Sequence, residues 1–268
     1  MSGSKWADLG VRTASAVVLV PVVLGIVWLG GFWFTGLIVA LGILMATEWV
    51  RIAHGNNKRQ LLIHEVAAAS LIMGSLKLSL LALLILTAVS WFIQRKDEFN
   101  FWKLVGVFYI GLPILAFDVL RGDAALGFLA VVWCMVIVWL ADIMAYFFGR
   151  IIGGPKMAPR ISPKKTWAGM LGAIVGAALA SWAVSYFGRI DVWPLAFVAA
   201  LFAILEQGGD IFESAFKRHF GVKDSGTLIP GHGGVLDRID GLITVATCAA
   251  IVGFIHNPLS SAAGLLHW

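Results

Sequence analysis

Residues 125–148 read ALGFLAVVWCMVIVWLADIMAYFF, and this apolar stretch decides the class of fold. A helix needs roughly 20 mostly apolar residues to cross the hydrocarbon core of a bilayer. The stretch is long enough, and its one charged side chain is that of Asp142. It is therefore predicted to be a membrane-spanning helix whose acid faces a polar environment rather than lipid.

The whole chain has the composition of a membrane protein. Of its 268 residues, 60% are hydrophobic and only 13% are charged, which lies outside the usual range for soluble globular domains. We therefore predict an all-α polytopic integral membrane protein. Two cysteines, Cys134 and Cys248, lie within apolar runs and lack the spacing of a zinc or redox motif, so they are predicted to be packing residues.

Hydropathy predicts about nine transmembrane helices. If the third and fourth apolar segments form one bent helix, the count is eight. The first segment could be a cleaved signal sequence, but a second apolar run follows it at once, so a retained helix is predicted. The predicted spans are residues 13–31, 32–49, 61–76, 78–92, 104–116, 125–148, 167–187, 194–216 and 237–255.

The distribution of Lys and Arg predicts the orientation of these helices. With nine spans and a cytoplasmic N-terminus, 17 of the 20 cations fall on the cytoplasmic side and only Lys77, Arg121 and Arg189 fall outside. This bias follows the positive-inside rule. Cytoplasmic loops beside anionic lipid account for the net charge of +5, so membrane lipid is an expected partner and nucleic acid is not.

Polar groups are distributed unevenly along the chain. We expect a single integral membrane domain over residues 1–268. Residues 1–122 have the pattern of ordinary apolar helices and are predicted to be mainly scaffold that faces lipid. Residues 123–268 concentrate polar groups and are predicted to contain the catalytic helices and cytoplasmic loops.

A stripe of small residues marks the predicted seventh span. Gly172, Gly176 and Ala180 recur at the spacing that allows two helices to approach closely. Internal packing is the favoured interpretation, and a homodimer interface is the alternative.

Polar side chains in the second half fall on helix faces at membrane depth. Asp142, Tyr146 and Arg150 recur at every fourth residue, and Asp237 and Asp240 lie one turn apart at the start of the last span. Carboxylates in a bilayer are costly unless they are paired or hydrated, so these faces are predicted to share a polar cavity at the cytoplasmic side. The alternative is that the acids only hold helices together by pairing with Arg150, Lys217 and Arg238. A third such face carries Glu206, Asp210, Glu213 and Lys217.

Clustered carboxylates such as these favour binding of a hard cation, with Mg²⁺ first.

Two polar loops that carry cations lie next to these acids in the predicted topology. Residues 150–167 carry five cations and no acid, and their glycines and prolines predict a shaped loop that could bind phosphate, although a topology anchor is the alternative. In residues 217–242, the amides of Gly231, Gly233 and Gly234 could approach an anion, whereas the role of His232 stays open.

Together these features predict phosphoryl or nucleotidyl transfer between a soluble nucleotide and a lipid phosphate, because such chemistry depends on positioning and charge neutralisation. A lipid-alcohol kinase would use similar metal and nucleotide sites but needs a general base. An ion-coupled transporter is the alternative from another class, since intramembrane acids also mark ion pathways.

The sequence SAFKRHFGVKDSGTLIPGHGGVLDRID, residues 214–240, resembles the signature of the phosphatidate cytidylyltransferases, also named CDP-diacylglycerol synthases. Three upstream segments are similar to further blocks of that family, and together they cover about the C-terminal half. Glu206 departs from the family pattern, in which a small or apolar residue is expected. The upstream segments are WLADIMAYFFGR at 139–150, SPKKTWAG at 162–169 and GGDIFES at 208–214.

The resemblance implies that CTP and phosphatidate react to give CDP-diacylglycerol and pyrophosphate, in a bacterial inner membrane with the active site facing the cytoplasm. With CTP as the nucleotide, the kinase alternative is a CTP-dependent lipid-alcohol kinase. It implies Mg²⁺ bound mainly by Asp210 and Asp237, with Asp240 and Glu213 as further ligands and K⁺ as a candidate second ion. The expected catalytic residues are Asp210, Asp237, Lys217 and Asp240. The expected phosphate-binding residues are Ser162, Lys164, Lys165, Thr166, Arg218, Lys223, His232, Gly233, Gly234 and Arg238. The expected supporting residues of the polar cavity are Asp142, Tyr146, Arg150, Ser214 and Asp224.

Overall fold

A computed structural model describes residues 17–55, 57–70, 76–94, 101–226 and 233–268. Helices dominate these residues, and one short hairpin interrupts them. In chain order the elements are α1 (Val17–Leu29), α2 (Gly31–His54), α3 (Lys58–Ala69), α4 (Leu76–Gln94), α5 (Phe101–Arg121), α6 (Gly127–Ile151), β1 (Lys156–Ala158), β2 (Ser162–Thr166), α7 (Trp167–Gly188), α8 (Val192–His219), α9 (Leu236–His256) and α10 (Ser261–Leu266).

The helices confirm a multi-pass membrane protein. Among the described residues, seven helices are long and apolar enough to cross a bilayer, namely α2 and α4 to α9. The helix α3 has 12 residues, and the described helix α1 is also shorter than a full crossing. The count of nine spans therefore stays a prediction.

The basic loop forms a small antiparallel hairpin, which the prediction of an all-α fold did not include. Strand β1 pairs with β2 so that Lys156 lies opposite Thr166 and Ala158 lies opposite Ser162. Thr166 ends the hairpin and also caps α7, because its hydroxyl oxygen accepts a hydrogen bond from the Gly169 amide at 3.0 Å. The hairpin is thus fixed to the start of a membrane helix.

The chain divides into two compact units. The first unit contains Met1–Ile114 and Val222–Ile239. The second unit contains Leu115–Gly221 and Asp240–Trp268. Each unit is therefore assembled from segments distant in sequence.

The first unit has a mixed aromatic and polar interior. Trp49 is fully buried, and its ring centroid lies 5.0 Å from that of Tyr109. The side chain of Ser90 donates a 2.9 Å hydrogen bond to Gln60 Oε1, which satisfies a polar group inside an apolar environment. An apolar cluster is formed by Ile63, Ala67, Leu83 and Val107.

The second unit depends on close approach between α6 and α7. A Cβ at Gly172 or Gly176 would collide with the backbone carbonyls of Met144 and Leu140, respectively. The predicted role of the small-residue stripe in internal packing is therefore confirmed. Buried hydrogen bonds add to this packing, since Trp133 Nε1 donates to Ser181 Oγ at 3.1 Å.

Candidate functional site

Lys165 connects the hairpin to α8 in the second unit. Its ammonium nitrogen lies 2.6 Å from Asp210 Oδ2 and 2.9 Å from Gln207 Oε1. Asp210 and Gln207 are three residues apart on one helix, so their side chains lie on the same face. Residues predicted from separate motifs, Lys165 and Asp210, are thus in direct contact.

The polar network continues from Gln207 to a deeply buried acid. Gln207 Nε2 donates a 2.8 Å hydrogen bond to Glu206 Oε2, and Glu206 is only 1% exposed. Helix α9 packs closely here, because a Cβ at Gly241 would contact the Glu206 side chain and one at Gly209 would collide with Thr244. Glu206 is therefore a partnered part of the helix packing.

A second acid and lysine pair lies further along α8. Lys217 Nζ is 2.6 Å from Glu213 Oε2, and both side chains are buried. Asp210, Glu213 and Asp142 all lie close enough to Asp240 to repel its charge. We refer to Asp142, Glu206, Asp210, Glu213 and Asp240, with Lys165 and Lys217, as the acid cluster.

The contacts within the acid cluster bear on both interpretations of the helix faces, which are a shared polar cavity and helix pairing through salt bridges. The Glu213 and Lys217 pair lies within α8, four residues apart, so it does not join two helices. Asp210 pairs with Lys165 of the hairpin, which is not one of the three cations expected to hold the helices together. The convergence of so many carboxylates is more than helix pairing requires.

Asp237 belongs to the first unit and is held by the backbone. Its Oδ2 accepts hydrogen bonds from the Ser225 amide at 2.9 Å and the Gly234 amide at 3.0 Å. The carboxylate lies in the first turn of α9, where the helix dipole favours negative charge. The Gly234 amide, expected to approach a substrate anion, is thus engaged by Asp237.

Sequence reasoning missed Glu48, which lies in the half predicted to be scaffold. Glu48 is 6% exposed and accepts hydrogen bonds from Ser225 Oγ at 2.9 Å, the Val235 amide at 2.8 Å and the Leu236 amide at 2.9 Å. A signal was available, because Glu48 is the one charged residue in the predicted span 32–49. Gln207 and Ser225 were also missed, and their residue types alone carry no such signal.

The remaining predicted residues have varied surroundings. Ser214 Oγ lies 3.4 Å from Asp210 Oδ1, and Arg150 donates a 2.8 Å hydrogen bond to the Tyr146 hydroxyl. His232 lies outside the described residues, as does Gly231. Ser162 is half-buried, Gly233 has a left-handed φ of 90°, and the exposed residues are Lys164, Arg218, Lys223, Asp224 and Arg238.

The donor set of the acid cluster consists of carboxylate oxygens, which fit a hard cation such as Mg²⁺. Within the described part of the chain, no group of three or more His, Cys, Asp or Glu side chains has an arrangement that could hold a metal ion as it stands. Lysine nitrogens instead lie beside Asp210 and Glu213. A cation would therefore bind there only with rearrangement of these pairs.

Fold and site together define a multi-pass helical membrane protein in which carboxylates and lysines, some of them buried, gather on helix faces. The cytidylyltransferase family profile matches residues 10–256, and the chain belongs to this family. The phosphatidate cytidylyltransferases of Brucella abortus biovar 1 and Brucella melitensis biotype 1 are each 37% identical over 261 residues, covering 93% of this chain and 94% of the relative. That of Staphylococcus aureus strain COL is 39% identical over 163 residues, covering 59% of this chain and 62% of the relative.

Proposed function

We propose that this chain transfers the cytidylyl group of CTP to phosphatidate, which gives CDP-diacylglycerol and pyrophosphate. The observation that carries this proposal is the similarity to phosphatidate cytidylyltransferases over 93% of the chain. The acid cluster supports it, because nucleotidyl transfer between two anionic substrates requires both metal-binding oxygens and cations.

The proposed reaction is an in-line displacement at phosphorus. A phosphate oxygen of phosphatidate forms a bond to the α-phosphorus of CTP, and the bond from that phosphorus to the oxygen bridging to the β-phosphorus breaks. Pyrophosphate leaves with the electron pair of the broken bond. The attacking oxygen is already ionised at neutral pH, so the step needs no general base.

We assign the metal-binding role to Asp210, Asp237, Asp240 and Glu213. A bound Mg²⁺ would neutralise charge on the phosphates and on the leaving pyrophosphate, and K⁺ is proposed as a second ion. These four carboxylates would hold the metal ion and fix its position. Asp142 supports them through its proximity to Asp240 and Glu206.

The lysines of the acid cluster are proposed to exchange partners on substrate binding. Lys165 and Lys217 neutralise Asp210 and Glu213 in the described structure. If Asp210 and Glu213 held Mg²⁺ instead, each ammonium group would be available to donate to a phosphate oxygen, which is a strong charge-assisted acceptor. Further proposed phosphate contacts are Ser162, Lys164, Thr166, Arg218, Lys223, His232, Gly233, Gly234 and Arg238.

The cellular setting is proposed from the cation distribution and the bacterial relatives. We place the N-terminus and the active site on the cytoplasmic side of a bacterial inner membrane, with nine spans. CTP would enter from the cytoplasm and phosphatidate from the inner leaflet. A homodimer remains a proposal, and it would require a surface other than the Gly172 and Gly176 stripe, which packs internally.

A product assay tests the reaction. Purified protein in detergent is incubated with labelled CTP, phosphatidate and Mg²⁺, and we expect pyrophosphate and a cytidine-bearing lipid in equal amounts. Asp210→Asn, with normal membrane insertion, is expected to lower the amounts of both products strongly and equally. Release of CDP with phosphorylation of a lipid alcohol would instead identify a kinase. Solute movement across sealed vesicles without CTP consumption would identify a transporter.

A further inference from the structure

Glu48 connects α2 to the start of α9 within the first unit. Its carboxylate accepts hydrogen bonds from two consecutive backbone amides, those of Val235 and Leu236, and from the Ser225 hydroxyl. These donors lie 177 to 188 residues away in the sequence. A buried carboxylate with three donors and a helix N-terminus has its charge well compensated.

Ser225 is shared between Glu48 and Asp237. Its hydroxyl donates to Glu48 Oε2 at 2.9 Å, whereas its backbone amide donates to Asp237 Oδ2 at the same distance. Two consecutive amides are also shared between these acids, because the Gly234 amide donates to Asp237 and the Val235 amide donates to Glu48. The backbone that orients Asp237 is therefore itself held by Glu48.

The packing around Glu48 leaves little freedom for this arrangement. A Cβ at Gly226 would lie 2.8 Å from Glu48 Oε1, and one at Gly234 would collide with Ser225 Oγ and lie 2.7 Å from Glu48 Oε2. Two glycines thus make room for the carboxylate. A displaced Glu48 would leave the buried Val235 and Leu236 amides without their acceptor, which is unfavourable.

We propose that Glu48 is a positioning residue that fixes the orientation of Asp237 through Ser225 and the Gly234–Leu236 backbone. The proposal rests on the metal-binding role assigned to Asp237 above. Glu48 acts through hydrogen bonds to the groups that hold Asp237, in the manner of outer residues that orient metal ligands. A scaffold residue would affect only folding, whereas a positioning residue also affects metal affinity.

The test compares Glu48→Gln with variants that isolate each contact. Glutamine keeps the size of the side chain but replaces one acceptor oxygen by an NH₂ group, which would face N–H donors. Ser225→Ala removes only the hydroxyl contact and keeps the amide that binds Asp237. Glu48→Asp keeps both acceptors on a shorter stem, and Thr47→Ala is the matched control on the exposed side of the same helix.

Three measurements are made on each purified variant: the Mg²⁺ concentration for half-maximal activity, Mn²⁺ affinity by electron paramagnetic resonance, and the thermal unfolding midpoint. For Glu48→Gln we expect both metal measures to weaken about 10-fold. Ser225→Ala should weaken them less, Glu48→Asp should restore part of the loss, and Thr47→Ala should match the original protein. The double variant of Glu48→Gln and Ser225→Ala should resemble Glu48→Gln, since both changes act on one path.

Unchanged metal affinity in Glu48→Gln, or a loss of folded protein with no change in the metal response of the remainder, would overturn the positioning role. If Glu48→Gln does not fold, the metal response of Ser225→Ala decides the question. Asp237→Asn separates the metal-binding role assigned to Asp237 from the positioning role of Glu48. An active Asp237→Asn refutes the assigned site, whereas an inactive one beside normal Glu48→Gln and Ser225→Ala refutes only the role of Glu48.

Discussion

Asp210 and Asp237 are both assigned to metal binding, yet their charges are compensated differently. Asp210 lies 2.6 Å from the ammonium group of Lys165, which ends a side chain with several rotatable bonds. Asp237 is held by the Ser225 and Gly234 amides, which belong to the backbone around the start of α9. The comparison indicates that the partner of Asp210 can be exchanged, whereas the partners of Asp237 are fixed.

This difference suits two tasks in phosphate chemistry. An ammonium group that leaves a carboxylate can donate hydrogen bonds to a phosphate oxygen instead. Fixed backbone dipoles need no reorganisation when a cation binds, so they favour a constant ligand orientation. We therefore expect changes at Asp237 to affect catalysis most and changes at Lys165 to affect substrate binding more.

The largest effect is expected for Asp237→Asn, which removes one metal-binding charge. The rate of cytidylyl transfer should fall about 100- to 1000-fold, because charge stabilisation of this kind is a major part of catalysis. Steady-state kinetics at several Mg²⁺ concentrations measures the loss. Asp191→Asn is the control, since Asp191 caps α8 through the Trp193 amide and asparagine can cap equally well. Activity of Asp237→Asn equal to that of this control would contradict the assignment.

A smaller effect is expected for Lys165→Met, which keeps much of the side-chain volume but removes the ammonium group. Loss of a charge-assisted contact predicts a fall of about 10- to 100-fold in kcat/KM, mainly through KM. Kinetics with CTP and phosphatidate varied in turn will show which substrate is affected. Removing an exposed cation that has no assigned role, as in Lys58→Met, should change neither constant. A loss confined to kcat would show that Lys165 is not an exchangeable partner.

Thr166→Ala tests whether the cap of α7 holds the hairpin beside Asp210. Removing the acceptor for the Gly169 amide should cost about 1 kcal/mol, because this is the usual contribution of a helix N-cap. The thermal midpoint should fall by about 2–4 °C. Thr166→Ser retains the hydroxyl and should unfold like the original protein. If both variants unfold at the same temperature, the cap hydrogen bond contributes nothing measurable.

The smallest effect is expected at Asp123, a carboxylate outside the assigned site. Hydrogen bonds from the Ser260 hydroxyl and the Leu126 amide lower its pKa below the ordinary value. A lowered pKa in the folded state adds stability above the unfolded pKa, and that stability is lost as the pH falls through the folded value. We therefore expect Asp123→Asn to reduce the loss of stability below about pH 4, by less than about 1 kcal/mol because the group is largely hydrated. Thermal unfolding between pH 3 and pH 7, roughly the range in which a carboxyl group titrates, tests this. Identical pH profiles would exclude a contribution from Asp123.

Much of the acid cluster could be predicted because its members share helical periodicity. Asp210 and Glu213 are three residues apart on a helix that is long and apolar enough to cross a membrane, which marks them as exceptional there. Their partners were harder to predict. Nothing in the local sequence indicates that Lys165, rather than Lys164, contacts Asp210, because the choice depends on the register of the hairpin.

The sequence by itself determined that this protein crosses a membrane several times, because long apolar segments have no other stable environment. It also determined the family, since many chemically distinctive residues occur at fixed spacing between residues 214 and 240. Only the tertiary structure decided that Glu48 holds the start of α9, which lies 188 residues away. Contacts at such separation depend on how helices pack, and local periodicity carries no information about them.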